Sequence, residues 1–193
     1  MVEVTKSDVA AAMSQQQIEM PYPLIPTRLR PPDRYPIVSE FRFEKERVPA
    51  TLTLAPGTSV SGSFFVAAHT SLRQGRERVG DLLNAQPGFF PFELRDGSTV
   101  LYNRTHLVAV ALDSGTSEAE QDPGYEVATQ RHVGMLLSTG MRVKGMVAVY
   151  AAPGRDRLSD YARSTQAFRY LVTQKSTLII NAAHIVELTE LAD

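Results

Sequence analysis

The same series of sequence features occurs twice along the chain. From Pro49 to Leu112, and again from His132 to Leu188, it has an apolar run, a glycine turn, a V-x-G run, R-x-x-D, a phenylalanine and N-x-x-H before a closing apolar run. The matched positions are Gly57/Gly140, Val60/Val143, Gly62/Gly145, Arg78/Arg157, Asp81/Asp160, Phe89/Phe168, Asn103/Asn181, His106/His184 and Val108/Val186. This many matches in one order indicate an internal duplication, which predicts two small units of one kind.

Each copy spans about 60 residues. That length is too short for a doubly wound fold and suits a five-stranded barrel closed on itself, which leaves no exposed edge. The run LTLAPGTSVSGSFFVA alternates in polarity and breaks at Pro56-Gly57, and FELRDGSTVLYN contains Asp96-Gly97. Both breaks favour tight hairpins. In the second copy Gln174-Lys175 takes the place of Asp96-Gly97, so we expect the same hairpin there.

A short helix is predicted between the second and third strands of each copy. The segments ERVGDLLNA, at 77–85, and DRLSDYARS, at 156–164, each have the pattern of one or two helical turns. Asp156 is a candidate N-cap for the second of these helices. The expected unit is therefore two strands, a short helix and three further strands.

Outside the copies, the sequence predicts an N-terminal arm and a linker. Residues 5–20 fit a short amphipathic helix, whereas residues 21–36 contain six prolines and should be extended. The linker carries Glu118, Glu120 and Asp122, and we expect it to be an exposed connection. The predicted regions are 1–47, the helix and extended proline-rich arm; 48–112, the first β-barrel repeat; 113–130, the acidic linker; and 131–193, the second repeat.

The second copy carries the features of a known family of small barrels. Its segment STGMRVKGMVAVY contains Gly140, Val143 and Gly145, and TLIINAAHIVELTE supplies the run at 181–186. These positions resemble the two motifs of the Sm-like barrels, and the strand pattern is also that of other SH3-type barrels. The longer segment between strands two and three, and the presence of two copies in one chain, depart from the family. The two-copy pattern also resembles uncharacterised bacterial domains of unknown function.

Together these signals predict a mainly β protein with two tandem small SH3/Sm-like barrels. Each barrel has a short helix between strands 2 and 3, and an extended proline-rich arm precedes them. The Sm-like resemblance implies RNA binding, with contacts from the turn loops, and assembly into rings. The resemblance to the uncharacterised bacterial domains implies a fold and no activity.

Two recurring turns, Asn103 with His106 and Asn181 with His184, are candidate ligand contacts. One interpretation is that they contact a base edge or an anion. The other, which we favour, is that each histidine satisfies a turn carbonyl and each asparagine forms a turn by accepting a left-handed φ. The chain has four histidines and no cysteine, and no histidine pair has metal-ligand spacing, so we expect no metal and no cofactor.

Opposite charges recur three residues apart, as Arg78 with Asp81 and as Arg157 with Asp160. At that spacing on a helix they are neighbours, and a structural ion pair is favoured over acid–base catalysis. The sequence also lacks a nucleophile elbow, a dinucleotide-binding glycine loop and a phosphate-binding loop. We therefore expect no enzymatic activity and no catalytic residues.

The arm is the strongest candidate for binding a partner, and the alternative, equally favoured by the sequence, is that it wraps across the two barrels of its own chain. An extended, proline-rich segment loses little entropy on docking, and arginines can pair with carboxylate or phosphate. A net charge of −1 gives no overall attraction to nucleic acid. The absence of cysteine, of a secretory signal and of a long apolar run predicts a cytoplasmic protein without a transmembrane segment. The candidate arm contacts are Tyr22, Leu24, Arg28, Arg30, Arg34 and Tyr35.

The sequence thus favours a non-catalytic structural or adaptor subunit. It would bind other protein subunits through its arm and barrel surfaces, for example as a peripheral subunit of a membrane-associated complex. The alternative is a nucleic-acid or anionic-ligand binding module of the Sm-like type. The near-neutral charge disfavours that alternative.

Overall fold

The computed structural model describes residues 44–70, 75–113, 118–151 and 154–192, and the predicted arm lies outside them. Within these ranges the protein is mainly β, as predicted, with ten strands and two short α-helices. The first half of the fold comprises β1 (Lys45–Leu54), β2 (Ser59–Ala67), α1 (Val79–Ala85), β3 (Phe89–Leu94), β4 (Thr99–Asn103) and β5 (Leu107–Leu112). The second half comprises β6 (Thr129–Leu137), β7 (Arg142–Val149), α2 (Leu158–Ala162), β8 (Phe168–Val172), β9 (Thr177–Asn181) and β10 (Ile185–Glu190).

All ten strands form one antiparallel sheet in the order β10-β6-β7-β8-β9-β5-β1-β2-β3-β4. Each half has the same internal order, with its last strand beside its first. The prediction that each unit closes on itself is wrong for this sheet. The free side of β5 pairs with β9 of the other half, so the sheet continues from one half into the next and is not closed.

The predicted hairpins are present. Gly57 and Gly97 have φ of +84° and +83°, conformations that glycine adopts without strain. The turn at Gln174-Lys175 has no glycine and is held by Thr173 instead. The Thr173 hydroxyl accepts from the backbone N–H of Lys175 at 3.2 Å and of Ser176 at 3.1 Å.

Both predicted helices are present, but the contacts proposed for the second are wrong. Arg157, rather than Asp156, is the N-cap of α2. Asp156 instead pairs with Arg131 at 2.9 Å. The predicted side-chain ion pair of Arg157 with Asp160 is replaced by a bond in which the Asp160 carboxylate accepts from the Arg157 backbone N–H at 3.2 Å. A carboxylate in the first helical turn satisfies an N–H that has no partner within the helix.

Each half has a hydrophobic core, and each core contains residues of the other half. Phe168 and Ile179 belong to the first core, whereas Val108 and Ala109 belong to the second. These four side chains are buried. Separating the halves would therefore expose apolar surface from both cores, which makes the described body one packed structure.

Candidate interaction site at the sheet edges

The contact between β5 and β9, which we call the junction, is an apolar strand pair. Ala109 lies opposite Ile180, and Val110 lies opposite Ile179. The side chains of Val110, Ile179 and Ile180 are fully buried there. The junction is thus an edge-to-edge contact between the two halves. It shows which side chains become buried when these strand edges are paired.

Polar contacts hold one end of the junction. The Asn181 amide donates to the carbonyl oxygens of Arg104 at 3.2 Å and Leu107 at 2.8 Å, while its oxygen accepts from the Ala183 N–H at 3.0 Å. Next to it, His184 Nε2 lies 2.9 Å from the carbonyl oxygen of Thr105. These bonds join the short 3₁₀ turns that precede β5 and β10, Arg104–His106 and Ala182–His184.

A second polar contact joins α1 to β8. Asn84 donates to the carbonyl oxygen of Phe168 at 2.8 Å and accepts from its N–H at 3.0 Å. The side-chain amide therefore completes the backbone hydrogen bonds of Phe168, as a paired strand would. Gly80 of α1 also lies against the Tyr170 phenol, where any side chain would collide.

Glu118 lies between the two halves and is fully buried. Its carboxylate accepts from the Val79 N–H, at 3.2 and 3.0 Å to the two oxygens, and from the Tyr170 hydroxyl at 3.2 Å. Burial raises the pKa of Glu118, and these hydrogen bonds offset only part of that effect. The prediction of an exposed linker is wrong at Glu118 and Ala119, which are buried. The reason is that the Glu118 carboxylate of the linker accepts a hydrogen bond from the backbone N–H of Val79, the first residue of α1.

Arg78 links the same elements by charge. It is 4% exposed, binds Asp81 through two nitrogens at 2.9 and 2.7 Å, and pairs with Asp122 at 2.7 Å. Its guanidinium also lies 5.6 Å from the centre of the Tyr170 ring. Burial opposes its charge, but the Asp81 and Asp122 carboxylates hold the pKa of Arg78 above its usual value. The predicted Arg78–Asp81 ion pair is therefore present, with Asp122 as a second anion.

The first free edge of the sheet, which we call the β4 edge, consists of β4 and the adjacent Phe89 of β3. Phe89 is 61% exposed and Leu101 is 63% exposed. Phe89 lies opposite Asn103 in the β3–β4 ladder. Within the described ranges, neither the Asn103 amide nitrogen nor the ring of the exposed His106 makes a hydrogen bond, although the Asn103 oxygen accepts from the Thr105 N–H at 3.0 Å.

The second free edge, which we call the β10 edge, is the outer side of β10. Val186 is 66% exposed there. Two acidic residues accompany it: Glu187 lies 3.7 Å from Arg142, and Glu190 lies 3.0 Å from Arg131. The β10 edge therefore combines an exposed apolar side chain with carboxylates that are partly neutralised by their neighbours.

A small cleft of about 110 Å³ lies beside β7, β8 and α2. Burial raises the pKa of Tyr161 on its wall to about 12. Arg169, also on the wall, donates to the carbonyl oxygens of Tyr161 and Ser164 at 2.6 Å each, so its guanidinium holds the loop after α2. Among the described residues, no group of three His, Asp or Glu side chains is placed to hold a metal ion.

The structure places the predicted turn residues in different environments. Asn181 and His184 lie at the junction and Asn103 lies at the β4 edge, whereas His106 ends the 3₁₀ turn before β5 and is exposed. The left-handed φ proposed for the asparagines is wrong, since φ is −79° at Asn103 and −75° at Asn181. Each caps a 3₁₀ turn through its side-chain oxygen instead. The six candidate arm contacts, from Tyr22 to Tyr35, lie outside the described residues.

The exposed apolar residues at the sheet edges were not among the predicted contacts. Phe89 and Val186 are matched to Phe168 and Val108 as repeated positions, but that match does not predict that they are exposed. The available signal was the closing strand itself: LVAVAL in the first copy is wholly apolar, while IVELTE in the second alternates with acidic and polar residues. That difference is typical of a covered strand and an edge strand.

Comparison with known proteins finds no significant match to a family model, to a curated protein or to a solved structure. In the part of the chain that the structure describes, no helix is long and apolar enough to cross a membrane.

Proposed function

We propose that the protein is a non-catalytic structural or adaptor subunit that binds other protein chains. One observation carries the proposal: in the part of the chain that the structure describes, the strands at both ends of the sheet have one unpaired side and an exposed apolar side chain, Leu101 on β4 and Val186 on β10. Proteins usually blunt such edges with charges, prolines or a covering segment, because an open edge can pair with another chain. An apolar open edge is therefore a favourable place for strand addition.

The contacts of the residues that resembled catalytic or ligand groups support the non-catalytic part. The Asp81 carboxylate pairs with Arg78, Asp160 accepts from a backbone N–H, and His184 lies against the Thr105 carbonyl and the Ser138 hydroxyl. Each of these contacts is one that stabilises a fold. The Asp81 and Asp122 carboxylates outweigh the opposing effect of burial and so explain the raised pKa of Arg78 without a catalytic role.

We also propose that the two halves are copies of one small barrel-type unit of the Sm-like or SH3 kind. The shared strand order supports this, as do the matching ladders: Phe89 lies opposite Asn103 as Phe168 lies opposite Asn181. The arm, with Arg28, Arg30 and Arg34, would supply a second contact with the same protein partners.

The proposal is tested by capture of partners from extracts of the native source, using the tagged full-length chain. Four forms are compared: wild type, Leu101→Lys at the β4 edge, the combined Arg28→Ala, Arg30→Ala and Arg34→Ala variant, and Val127→Lys as control. Val127 is 89% exposed and belongs to neither edge. We expect a defined set of proteins with wild type and control, and its loss with the edge or the arm variant.

Recovery of RNA or DNA by all forms, with affinity that falls steeply as salt is raised, would overturn the proposal. That result would favour the nucleic-acid binding module, because phosphate contacts release counterions. The same extract fractions are assayed for protein and for nucleic acid, so that one experiment decides between the two.

A further inference from the structure

The cleft beside α2 lies where two neighbouring strands separate. Within the described ranges, β7 and β8 pair at one position, where Met146 lies opposite Val172. Both residues line the cleft, which has a volume of about 110 Å³. The other walls come from α2 and the loop that follows it, and from the linker. The cleft therefore occupies an opening between two strands of the sheet.

Arg169, on β8, places a buried positive charge at the wall of this cleft. It is 8% exposed and donates to the carbonyl oxygens of Tyr161, Ser164 and Gln166, at 2.6, 2.6 and 3.0 Å. In the described part of the chain it makes no ion pair, whereas the buried Arg78 has two carboxylate partners. A guanidinium has more N–H donors than these three bonds use. Because buried charges are usually paired, Arg169 lacks the counter-ion that Arg78 has.

Tyr161, on α2, supplies a buried hydroxyl to the same wall. The residue is 6% exposed, and within the described ranges its hydroxyl has no hydrogen-bond partner. Burial raises the pKa of Tyr161 to about 12, and the nearby Arg169 charge opposes only part of that effect. The phenol is therefore protonated at neutral pH and can donate. A ligand that accepts this hydrogen bond would remove the cost of burying an unpaired hydroxyl.

The first half of the fold fills the matching space with apolar rings. By register, Phe90 is the counterpart of Arg169, and Phe64 is the counterpart of Val147. Phe64 and Phe90 are fully buried, and their rings stack with centres 5.4 Å apart. In the second half a smaller side chain and a cation take these two places. The strand pattern therefore does not require a buried cation, and Arg169 distinguishes the second half at the wall of the cleft.

The charge and size of the cleft define the ligand that fits. Arg169 offers one positive charge without a counter-ion, which favours an anion. Two acidic residues on the wall oppose a second negative charge on that anion: Asp122, which pairs with Arg78 at 2.7 Å, and Asp160, which accepts from the Arg157 N–H at 3.2 Å. An apolar cavity of about 150 Å³ holds benzene, so about 110 Å³ holds a smaller molecule.

We infer that the cleft binds a small monocarboxylate such as propionate. The carboxylate would accept from the remaining N–H groups of Arg169 and from the Tyr161 hydroxyl. The alkyl group would lie against the apolar part of the wall, which includes Met146, Ala148 and Val172. The cleft is separate from the two free edges of the sheet, so this ligand is additional to the protein partners proposed above.

The test is a titration of the full-length protein with sodium propionate, followed through the backbone amide signals in NMR spectra. Sodium chloride at equal ionic strength is the control for salt, and sodium sulfate tests a doubly charged anion. We expect millimolar propionate to shift the signals of residues that line the cleft, such as Ala148 and Ser164. Chloride and sulfate should leave these signals in place.

A pair of variants tests the role of the hydroxyl. Tyr161→Phe removes the hydroxyl alone, and the variant should fold because that hydroxyl has no partner in the described part of the chain. Tyr102→Phe is the matched control, since Tyr102 lies on β4 and does not line the cleft. We expect the propionate affinity of Tyr161→Phe to be at least about 10-fold weaker, because a hydrogen bond to a charged group is lost. The affinity of Tyr102→Phe should equal that of wild type.

The inference is overturned if propionate shifts no cleft signal in wild type, or if Tyr161→Phe binds propionate as tightly as wild type does. A response to sulfate as strong as the response to propionate would overturn the choice of a monocarboxylate. The proposed function is tested separately, because capture of protein partners depends on Leu101 and on the arm. Failure of one therefore leaves the other unchanged.

Discussion

Arg78 is a buried cation that joins three parts of the structure. It contacts Asp81 of its own helix, Asp122 of the linker and the ring of Tyr170 in the second half. A buried ion pair is not in itself strong evidence of stability, because both charges lose water on burial. Removing the cation is costly, however, since the Asp81 and Asp122 carboxylates then lose the positive charge that compensates them.

We predict that Arg78→Met lowers the free energy of unfolding by about 3 kcal/mol, because two carboxylates lose their buried counter-ion. Arg78→Lys should restore only part of this loss, since an ammonium cannot bind Asp81 through two nitrogens at once. Urea unfolding measures both variants. The control Arg163→Met removes an exposed cation 4.0 Å from Asp160 and should change stability by less than about 0.5 kcal/mol. A similar loss in both Met variants would contradict the assignment.

Glu118 should make the stability of the protein depend on pH, and the sign of that dependence follows from the direction of its pKa shift. Its pKa is raised in the folded protein, chiefly by burial, so folding favours the protonated carboxyl. Its contribution to stability is thus full below the pKa of the unfolded chain, and it is lost as pH rises through the folded pKa.

We therefore predict that wild type loses stability relative to Glu118→Gln as pH rises from about 4.5, the usual pKa of the group. Glutamine can still accept from the Val79 N–H, so the substitution removes the charge and keeps the shape. Urea unfolding of both proteins across the acid range gives the difference at each pH. A difference that is independent of pH would show that Glu118 has the same pKa in both states.

At the scale of elements, Gly62 and Gly145 explain why the V-x-G run recurs. Each lies in the second strand of its half, where the neighbouring strand passes close to its α-carbon. A methyl group on Gly62 would collide with the Glu93 carbonyl, and one on Gly145 with the Val172 carbonyl. Glycine here permits close approach of two backbones.

We predict that Gly62→Ala lowers the free energy of unfolding by about 3 kcal/mol, because a backbone carbonyl must move to admit the methyl group. Ser63→Ala, at the next position of the same strand, is the control and should cost less than about 1 kcal/mol. Thermal unfolding ranks the two variants. An equal effect would indicate that β3 can shift away from β2 without penalty.

Most elements could be predicted because their signals are local. The turns at Gly57 and Gly97 need a conformation that glycine favours, and strand polarity alternates on either side of them. The N-cap of α2 was mispredicted because Asp156 is also within reach of Arg131, on a strand distant in sequence. The burial of Glu118 likewise depends on where α1 lies, and the sequence around Glu118 does not indicate that position.

At the scale of the whole molecule, the β5–β9 pairing decides the architecture. The repeated sequence pattern is compatible with two separate barrels or with one continuous sheet, and the pattern alone does not distinguish these. The distinction lies in which strand covers β5, a contact between residues such as Val110 and Ile179. The local sequence signal for this pairing is the difference between β5, which is wholly apolar, and β10, which also contains acidic and polar residues.

The junction and the free edges can be compared through one substitution at two matched positions. Asn181→Asp keeps the oxygen that accepts from Ala183 and removes the amide that donates to Arg104 and Leu107. At Asn103, the same change keeps the oxygen that accepts from the Thr105 N–H. It removes an amide that, in the described part of a single chain, donates to nothing.

We therefore predict that Asn181→Asp lowers the free energy of unfolding by about 3 kcal/mol, because a carboxylate replaces a buried donor beside two carbonyls. Asn103→Asp should change it by less than about 0.5 kcal/mol. Urea unfolding of both variants measures the two losses, and equal losses would show that the Asn181 amide does not hold the junction.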